Sequence, residues 1–424
     1  MSTSPTFAVV GAGLAGAKAA ETLRAEGFDG RLLLFGDEAE RPYERPPLTK
    51  AYLRGETDRE SLYVHEEGFY TANGIELRTS TPVRSIAPTG RQLQLASGER
   101  IGYERLLLAT GSAPRRLRLP GAELDGVRYL RTRRDADALA AAAADAEHVV
   151  VVGTGWIGSE AAASIRQLGR QVTLLGPDPA PLARVLGPEV AAVYRDLHAD
   201  HGVRLLLETR VAGFRGRGRV EAVVTEDGRT IDCDLVLVGA GAIPRTDLAE
   251  AAGLPVADGM LVNEQLEAVG AAGVYAAGDI ASAWHPHYQT YLRVEHWANA
   301  LNQGPAAARN MLGIPTPYAR LPYFYSDQFD LGMEYSGFAA AWDQVVVRGD
   351  PAARQFIAFW LKDQRVLAGM NANVWDVTEP IQTLIRDGRP VDPARLADPG
   401  IPLDQVTGED AGQRSDRLTT RSTR

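Results

Sequence analysis

Phe7-Ala-Val-Val-Gly11-Ala-Gly13-Leu-Ala15-Gly16 and, far along the chain, His148-Val-Val-Val-Val-Gly153-Thr-Gly155-Trp156-Ile157-Gly158 decide how this sequence folds. Each is a short apolar run closing on G-x-G-x-x-G, followed by an alanine-rich stretch of helical character. A second apolar run completes each unit. Residues 32–35 end in Gly36-Asp37-Glu38, and residues 172–175 end in Gly176-Pro177-Asp178. Strand, glycine turn, helix and strand make a βαβ unit, and its repetition is far more specific than one glycine motif alone. The first glycine of each triad permits the tight turn, the second lets backbone approach a pyrophosphate, and the third allows the helix to pack closely on the strand. The pyrophosphate then meets the positive end of the helix and its open N–H groups.

Working outward, Arg41-Pro-Tyr-Glu-Arg45-Pro-Pro-Leu-Thr-Lys50 is a proline-stiffened loop ending on a lysine. Leu106-Leu-Leu-Ala109-Thr110-Gly111, Leu235-Val-Leu-Val-Gly239-Ala-Gly241 and Gly273-Val-Tyr-Ala-Ala-Gly278-Asp279 each read as a buried strand closing on small residues. From Tyr323 the character changes to short strands at residues 329–337, 344–348, 355–361 and 366–370, separated by turn signals. The expected fold is α/β: two Rossmann-like dinucleotide-binding domains, one inserted in the other, and a small α+β domain with an antiparallel sheet. The expected division is 1–113 and 243–321 for the first domain, 114–242 for the inserted one and 322–405 for the third. Residues 406–424 are polar, lack aromatics and read as a disordered tail.

The 424 residues are 45% hydrophobic and 23% charged, which excludes a wholly disordered chain. No apolar run reaches the length of a membrane helix, and the first one runs straight into a glycine motif rather than a cleavage site. A single cysteine, Cys233, excludes an internal disulfide and a redox-active pair, so a cytoplasmic protein is expected. Its neighbours Asp232 and Asp234 disfavour a thiolate. A net charge of −9 argues against bulk attraction to nucleic acid or anionic membrane. His198 and His201 share a helical face but lack companions for a metal site and read as solvated; His285 and His287 lack partners too, so no metal is expected. Lysine stands only at 18, 50 and 362 among 45 basic residues, which singles out Lys50 at the end of its loop.

Taken with the loop Arg45-Pro-Pro-Leu-Thr-Lys50, the segments Arg293-Val-Glu295-His296-Trp297-Ala-Asn299 and Tyr323-Phe-Tyr-Ser326-Asp327-Gln328 resemble the ferredoxin reductases of the putidaredoxin reductase and rhodocoxin reductase type. These are two-dinucleotide-binding flavoproteins. The resemblance implies FAD on the first glycine motif and a nicotinamide cofactor on the second. It places Ala15 under the FAD pyrophosphate, Asp37 on the adenine ribose, Lys50 at the flavin, Val83 near the adenine and Asp279 on the ribityl chain. Trp297 lies at the pyrimidine edge, and Arg131 supports binding. Arg45, Ala109, Thr110, Gly111, Ile157, Gly241, Gly278, Glu295 and His296 fall in the matching cofactor segments. For Glu160 two readings stand: a carboxylate complementing the helix start, or a partner for the lysine near the flavin. Trp156 is either strand–helix packing or a gate over the flavin.

The resemblance implies electron flow from NADH through FAD to a ferredoxin that serves a cytochrome P450 or a ring-hydroxylating oxygenase. Residues 36–60 hold no cysteine, so electrons leave the flavin directly rather than through a thiol. The alternatives are an NADH oxidase or monodehydroascorbate-type reductase, and a redox-sensing flavoprotein similar to apoptosis-inducing factor. NADH is expected over NADPH, because Asp178 can bond a ribose hydroxyl and repel a 2′-phosphate, and the first arginine after it is Arg184. An acidic ferredoxin is expected to dock near Arg293, Arg309 and Arg320.

Overall fold

The computed structural model of the chain describes residues 4–407. The chain divides after Arg320 into two compact units.

The first unit holds two parallel five-stranded sheets of the same design. One runs Val274–Ala276, Arg105–Leu108, Thr6–Val10, Arg31–Phe35 and Ile75–Arg78 in spatial order. The other runs Arg204–Leu206, Gln171–Leu175, His148–Val152, Leu235–Val238 and Val127–Tyr129. In both, the strand leading to the glycine turn lies in the middle, where strand order reverses and open α/β sheets bind their ligands. The helices that follow are Leu14–Ala25 and Trp156–Gln167. The turns are superimposable in their bonding: Gly11 N donates to Phe35 O and Gly153 N donates to Leu175 O, each at 2.8 Å. The strands are nearly all apolar because both faces are covered. Leu32, Leu33 and Leu34 are wholly buried, and truncating any one to alanine would cost about 2–5 kcal/mol.

Each sheet carries a satellite of three antiparallel strands, Val83–Ala87 with Gln92–Leu95 and Arg100–Gly102, and Val211–Arg215 with Ala222–Thr225 and Thr230–Asp232. A separate two-stranded antiparallel ribbon pairs Ser112–Pro114 with Ala242–Pro244. It joins the chain leaving the first sheet to the chain returning to it.

The second unit is a five-stranded antiparallel sheet in the order Tyr323–Gln328, Leu331–Gly337, Arg365–Ala372, Gln355–Lys362 and Gln344–Asp350, accompanied by helices Thr378–Asp387 and Pro393–Ala397. Its core contains the fully buried Trp360, Phe359 and Met370. The segment Tyr323–Gln328 is a strand of its own, and Phe329, expected inside a strand, sits in the tight turn after it with φ 55°.

Three expectations need correction. His198 is completely buried on helix Ala183–Asp200, not on a solvated face. Its neighbour His201 is half-buried, its ring Nδ1 2.9 Å from Leu197 O. Val406, placed in the tail, is buried and Thr407 bridges Val391, so the ordered chain runs to the end of the described residues. The remainder of the expected tail, 408–424, lies outside them.

Candidate functional site

The two glycine turns answer the requirement of a dinucleotide position by position. Gly11 and Gly153 have φ of +119° and +115°, and a Cβ on either would collide with a backbone oxygen, Ala109 O at 2.0 Å or Gly239 O at 2.2 Å. At the third positions, a Cβ on Gly16 or Gly158 would strike the carbonyl of the first glycine at 2.0 or 1.9 Å. At the middle positions, Gly13 and Gly155, a Cβ would meet nothing within 4 Å. That vacant space lies at the N-caps of the two helices, where no side chain caps the N–H groups. Both cradles therefore fit a pyrophosphate.

Around the first cradle the structure gathers residues from distant parts of the chain. Asp279, buried at the end of the strand Val274–Ala276, accepts on Oδ2 from Ser112 Oγ at 2.6 Å and from Arg131 NH2 at 2.8 Å. Burial alone would favour the neutral acid, but the Arg131 charge and these two bonds hold the carboxyl below its ordinary range. No protein donor reaches Oδ1 among the described residues, which suits a ligand hydroxyl. Burial likewise lowers the Arg131 guanidinium, while Asp279 opposes that. Arg45 donates to Arg131 O at 2.6 Å and to Glu38 at 2.8 Å. Gly278 N is held by the buried Gln303 at 2.9 Å. Ala15 is buried on the first helix turn, close to Gly304 of helix Trp297–Met311. His296 is the N-cap of that helix and Trp297 opens it. Burial pushes the His296 imidazole down to about 4, against the pull of Asp279, so the ring is neutral near pH 7.

Lys50 and Glu160 come together from opposite halves. Lys50 Nζ donates to Glu160 Oε2 at 2.6 Å, and Thr49 Oγ1 donates to the same oxygen at 2.5 Å. The two ionic side chains are 12% and 6% exposed. Ser164 Oγ in turn donates to Thr49 O at 2.6 Å, tying the loop to helix Trp156–Gln167. Glu160 is thus bonded across the halves rather than merely complementing its own helix.

Other expected residues sit as follows. Asp37 is half-exposed and accepts from Arg245 at 2.7 Å. Thr110 Oγ1 donates to Arg245 O at 2.8 Å, and Gly111, close to Arg131, lies at one end of the ribbon across from Arg245, with the exposed Gly241 across from Arg115 at the other end. Val83 is half-buried beside a cavity of about 310 Å³ that includes Thr81, Pro82 and Leu95. Ile157 is exposed at the start of the second helix. Trp156 packs edge-on against Tyr194, with ring centroids 6.0 Å apart. Glu295 is exposed and bound to Arg293.

Two electrostatic expectations change. Arg293 is not an exposed cation: its side chain is 12% exposed and pinned between Asp258, at 2.8 Å, and Glu295. Asp178 does not act alone either, because Arg184 Nε donates to its Oδ1 at 2.7 Å. Residues not foreseen are Ser112, Thr49 and Gln303. Ser112 directly follows Ala109-Thr110-Gly111, and that adjacency is the one signal that could have found it. Cys233 is buried, and burial with Asp234 and Asp232 pushes its thiol up to about 12. No group of metal-ligating side chains occurs among the described residues.

Two phosphate cradles, a buried carboxylate beside the first and an ion pair bridging the halves define an FAD-dependent oxidoreductase of the two-dinucleotide class. Comparison with known proteins gives the branch. Residues 5–304 match the pyridine nucleotide-disulphide oxidoreductase family and residues 323–407 the reductase C-terminal family. The chain is 36% identical over 412 residues to the putidaredoxin reductase of Pseudomonas putida, covering 96% of this chain and 97% of that one. It is 40% identical over 370 residues to a probable ferredoxin reductase of Castellaniella defragrans, covering 87% and 90%. The crystal structure of the covalent putidaredoxin reductase–putidaredoxin complex aligns with a TM-score of 0.90 at 36% identity, covering 95% of this chain and 98% of that one. The ferredoxin reductase for the CYP199A2 system of Rhodopseudomonas palustris aligns at 0.91 and 38% identity, covering 95% and 100%. The chain belongs to the pyridine nucleotide-disulphide oxidoreductase family, in the branch of the putidaredoxin and rhodocoxin reductases. FAD and NAD(P)H are the cofactors of that branch, and the residues described fit them.

Proposed function

We propose that this protein takes a hydride from NAD(P)H and delivers electrons to a ferredoxin that serves a cytochrome P450 or a ring-hydroxylating oxygenase. Bound FAD supplies the chemistry of accepting an electron pair and releasing its electrons singly. The observation that carries the reading is the Lys50–Glu160 pair, whose lysine stands in the region of the first βαβ unit where a disulfide reductase would hold its two cysteines. Residues 36–60 contain no cysteine, and the one thiol of the chain is buried elsewhere. A fixed ammonium stabilises negative charge arriving on a neighbouring ring but relays no electrons through sulfur.

In this reading Gly13 and Gly155 admit the two pyrophosphates, while Asp279, set by Ser112 and Arg131, binds a sugar hydroxyl. Lys50 is oriented by Glu160 and Thr49. Glu295, His296 and Trp297 close the pyrimidine end, and Trp156 and Ile157 line the nicotinamide approach. An acidic ferredoxin docks near Arg309 and Arg320; Arg293 has its charge satisfied internally and takes no part. The setting is the reducing cytoplasm, which accords with a single buried cysteine.

Cytochrome c reduction by NADH, measured with and without each of a panel of [2Fe–2S] ferredoxins, tests the function. A strict requirement for an added ferredoxin supports it. Fast NADH oxidation with no carrier present would replace it with an oxidase.

A further inference from the structure

The inserted sheet ends its second strand in an unusual way. In a βαβ unit the residue just past that strand faces the 2′ position of the adenosine ribose, and an acid there selects against a 2′-phosphate. In the first half the acid stands one place after the glycine, at Asp37; in the second it stands two places after, at Asp178. Both glycine positions are closed to a side chain, since a Cβ at Gly36 would lie 2.9 Å from Ala12 Cβ, and the second half carries Pro177 where the first has Asp37. A Cβ at Gly176 would lie 2.6 Å from Thr154 Cγ2 and 2.7 Å from its Oγ1. Thr154 occupies the space a side chain at Gly176 would need, and it is itself 3% exposed.

The chain then turns back. Leu182 adopts φ 64° and donates its N–H to Thr154 O at 2.9 Å, which brings the start of helix Ala183–Asp200 over the strand end. Arg184 is thereby set against Asp178, bonded at 2.7 Å, with its own side chain 70% exposed. The adenosine end therefore presents a neutralised acid and a guanidinium exposed on its other face. Guanidinium is the side chain best shaped to bind a phosphate through two bonds.

We propose that Arg184 determines nicotinamide cofactor selectivity, cancelling the charge of Asp178 and receiving a 2′-phosphate, so that NADPH is used within about tenfold of NADH. The inference rests on the proposed function for its cofactor class, but its test is a binding measurement on fragments and needs no electron transfer. Adenosine 2′,5′-bisphosphate and 5′-AMP are titrated by calorimetry into the FAD-loaded wild type, Arg184→Ala, Arg184→Lys and Asp178→Asn.

The wild type should bind the bisphosphate at least as tightly as AMP. Arg184→Ala should lower the bisphosphate/AMP affinity ratio at least tenfold, Arg184→Lys by less, and Asp178→Asn should raise it. Rising salt should weaken the bisphosphate more than AMP. Arg184→Lys guards against misfolding of the alanine variant, and retained flavin absorbance reports an intact protein. A wild type that binds AMP a hundredfold tighter than the bisphosphate, or equal losses for both fragments in Arg184→Ala, overturns the assignment of Arg184. Failure of both NADH and NADPH to reduce the flavin would instead overturn the oxidoreductase reading, a result the fragment titration does not share.

Discussion

Glu160→Gln is the perturbation with the largest consequence for so small a change of shape. The carboxylate meets Lys50 Nζ at 2.6 Å, with both side chains less than one-eighth exposed. At an effective dielectric of about 20, two unit charges at that separation attract by about 6 kcal/mol. Desolvation offsets much of this, but replacing one member takes away the negative charge facing a buried ammonium, which costs about 3–5 kcal/mol. The glutamine oxygen still accepts one of the two bonds donated by Lys50 and Thr49, so the lower figure, about 3 kcal/mol, is expected. Lys50→Met together with Glu160→Leu removes both charges and should lie within about 1 kcal/mol of wild type. Urea unfolding of the FAD-loaded variants, followed by far-UV circular dichroism, measures these differences. With a slope of about 3 kcal/mol/M, Glu160→Gln should lower the midpoint by about 1 M, and the double variant should recover most of it. A Glu160→Gln midpoint equal to that of wild type would refute the reasoning, since it would mean that solvent already screens the pair.

Gly13→Val should abolish FAD uptake yet leave the melting temperature of the apoprotein unchanged, because a Cβ there meets no protein atom and the backbone is already extended at φ −94°; reconstitution with FAD and a thermal melt check both halves of that statement. Burial raises the cost of charging Glu40, but bonds from Tyr63, Arg133 and Arg59 hold its carboxyl down to about 2, against 4.5 ordinarily. Its stabilisation is therefore complete above pH 4.5 and lost as pH falls toward 2, so Glu40→Gln should flatten the acid limb of a stability–pH profile. Arg309, bonded to Glu26 at 2.8 Å and 45% exposed, is the next test. Arg309→Glu should raise the KM for an acidic ferredoxin about fivefold, and stopped-flow reduction of the flavin by NADH should not follow it.

What could be read from the residues alone was whatever the backbone itself demands. The paired glycine triads reveal both sheets because a positive φ and a helix pressed on a carbonyl admit no other residue. Lys50 stood out because lysine is scarce in this chain. The partners that fix it could not be read the same way: Thr49 and Glu160 meet across 111 positions, and Ser112 and Asp279 across 167. The first pair depends on how the two sheet-bearing halves are set against each other and the second on which strands become neighbours in one sheet, and no local pattern encodes either. Arg184 looked too distant from Asp178 until the left-handed turn at Leu182 folded it back. His198 was misread because a polar residue on a helix suggests solvent, whereas this helix presents that position to the interior.

The ribbon of Ser112–Pro114 and Ala242–Pro244 has an evolutionary meaning. Backbone bonds from Arg115 N to Gly241 O and from Arg245 N to Gly111 O, both 2.9 Å, flank it, so the inserted segment departs and returns through neighbouring threads. A stretch of chain whose two ends already touch can be exchanged by recombination at a pair of adjacent crossover points without altering the spacing of what surrounds it. The half that chooses the electron donor can then diverge on its own schedule, while the flavin-holding half stays matched to its acceptor.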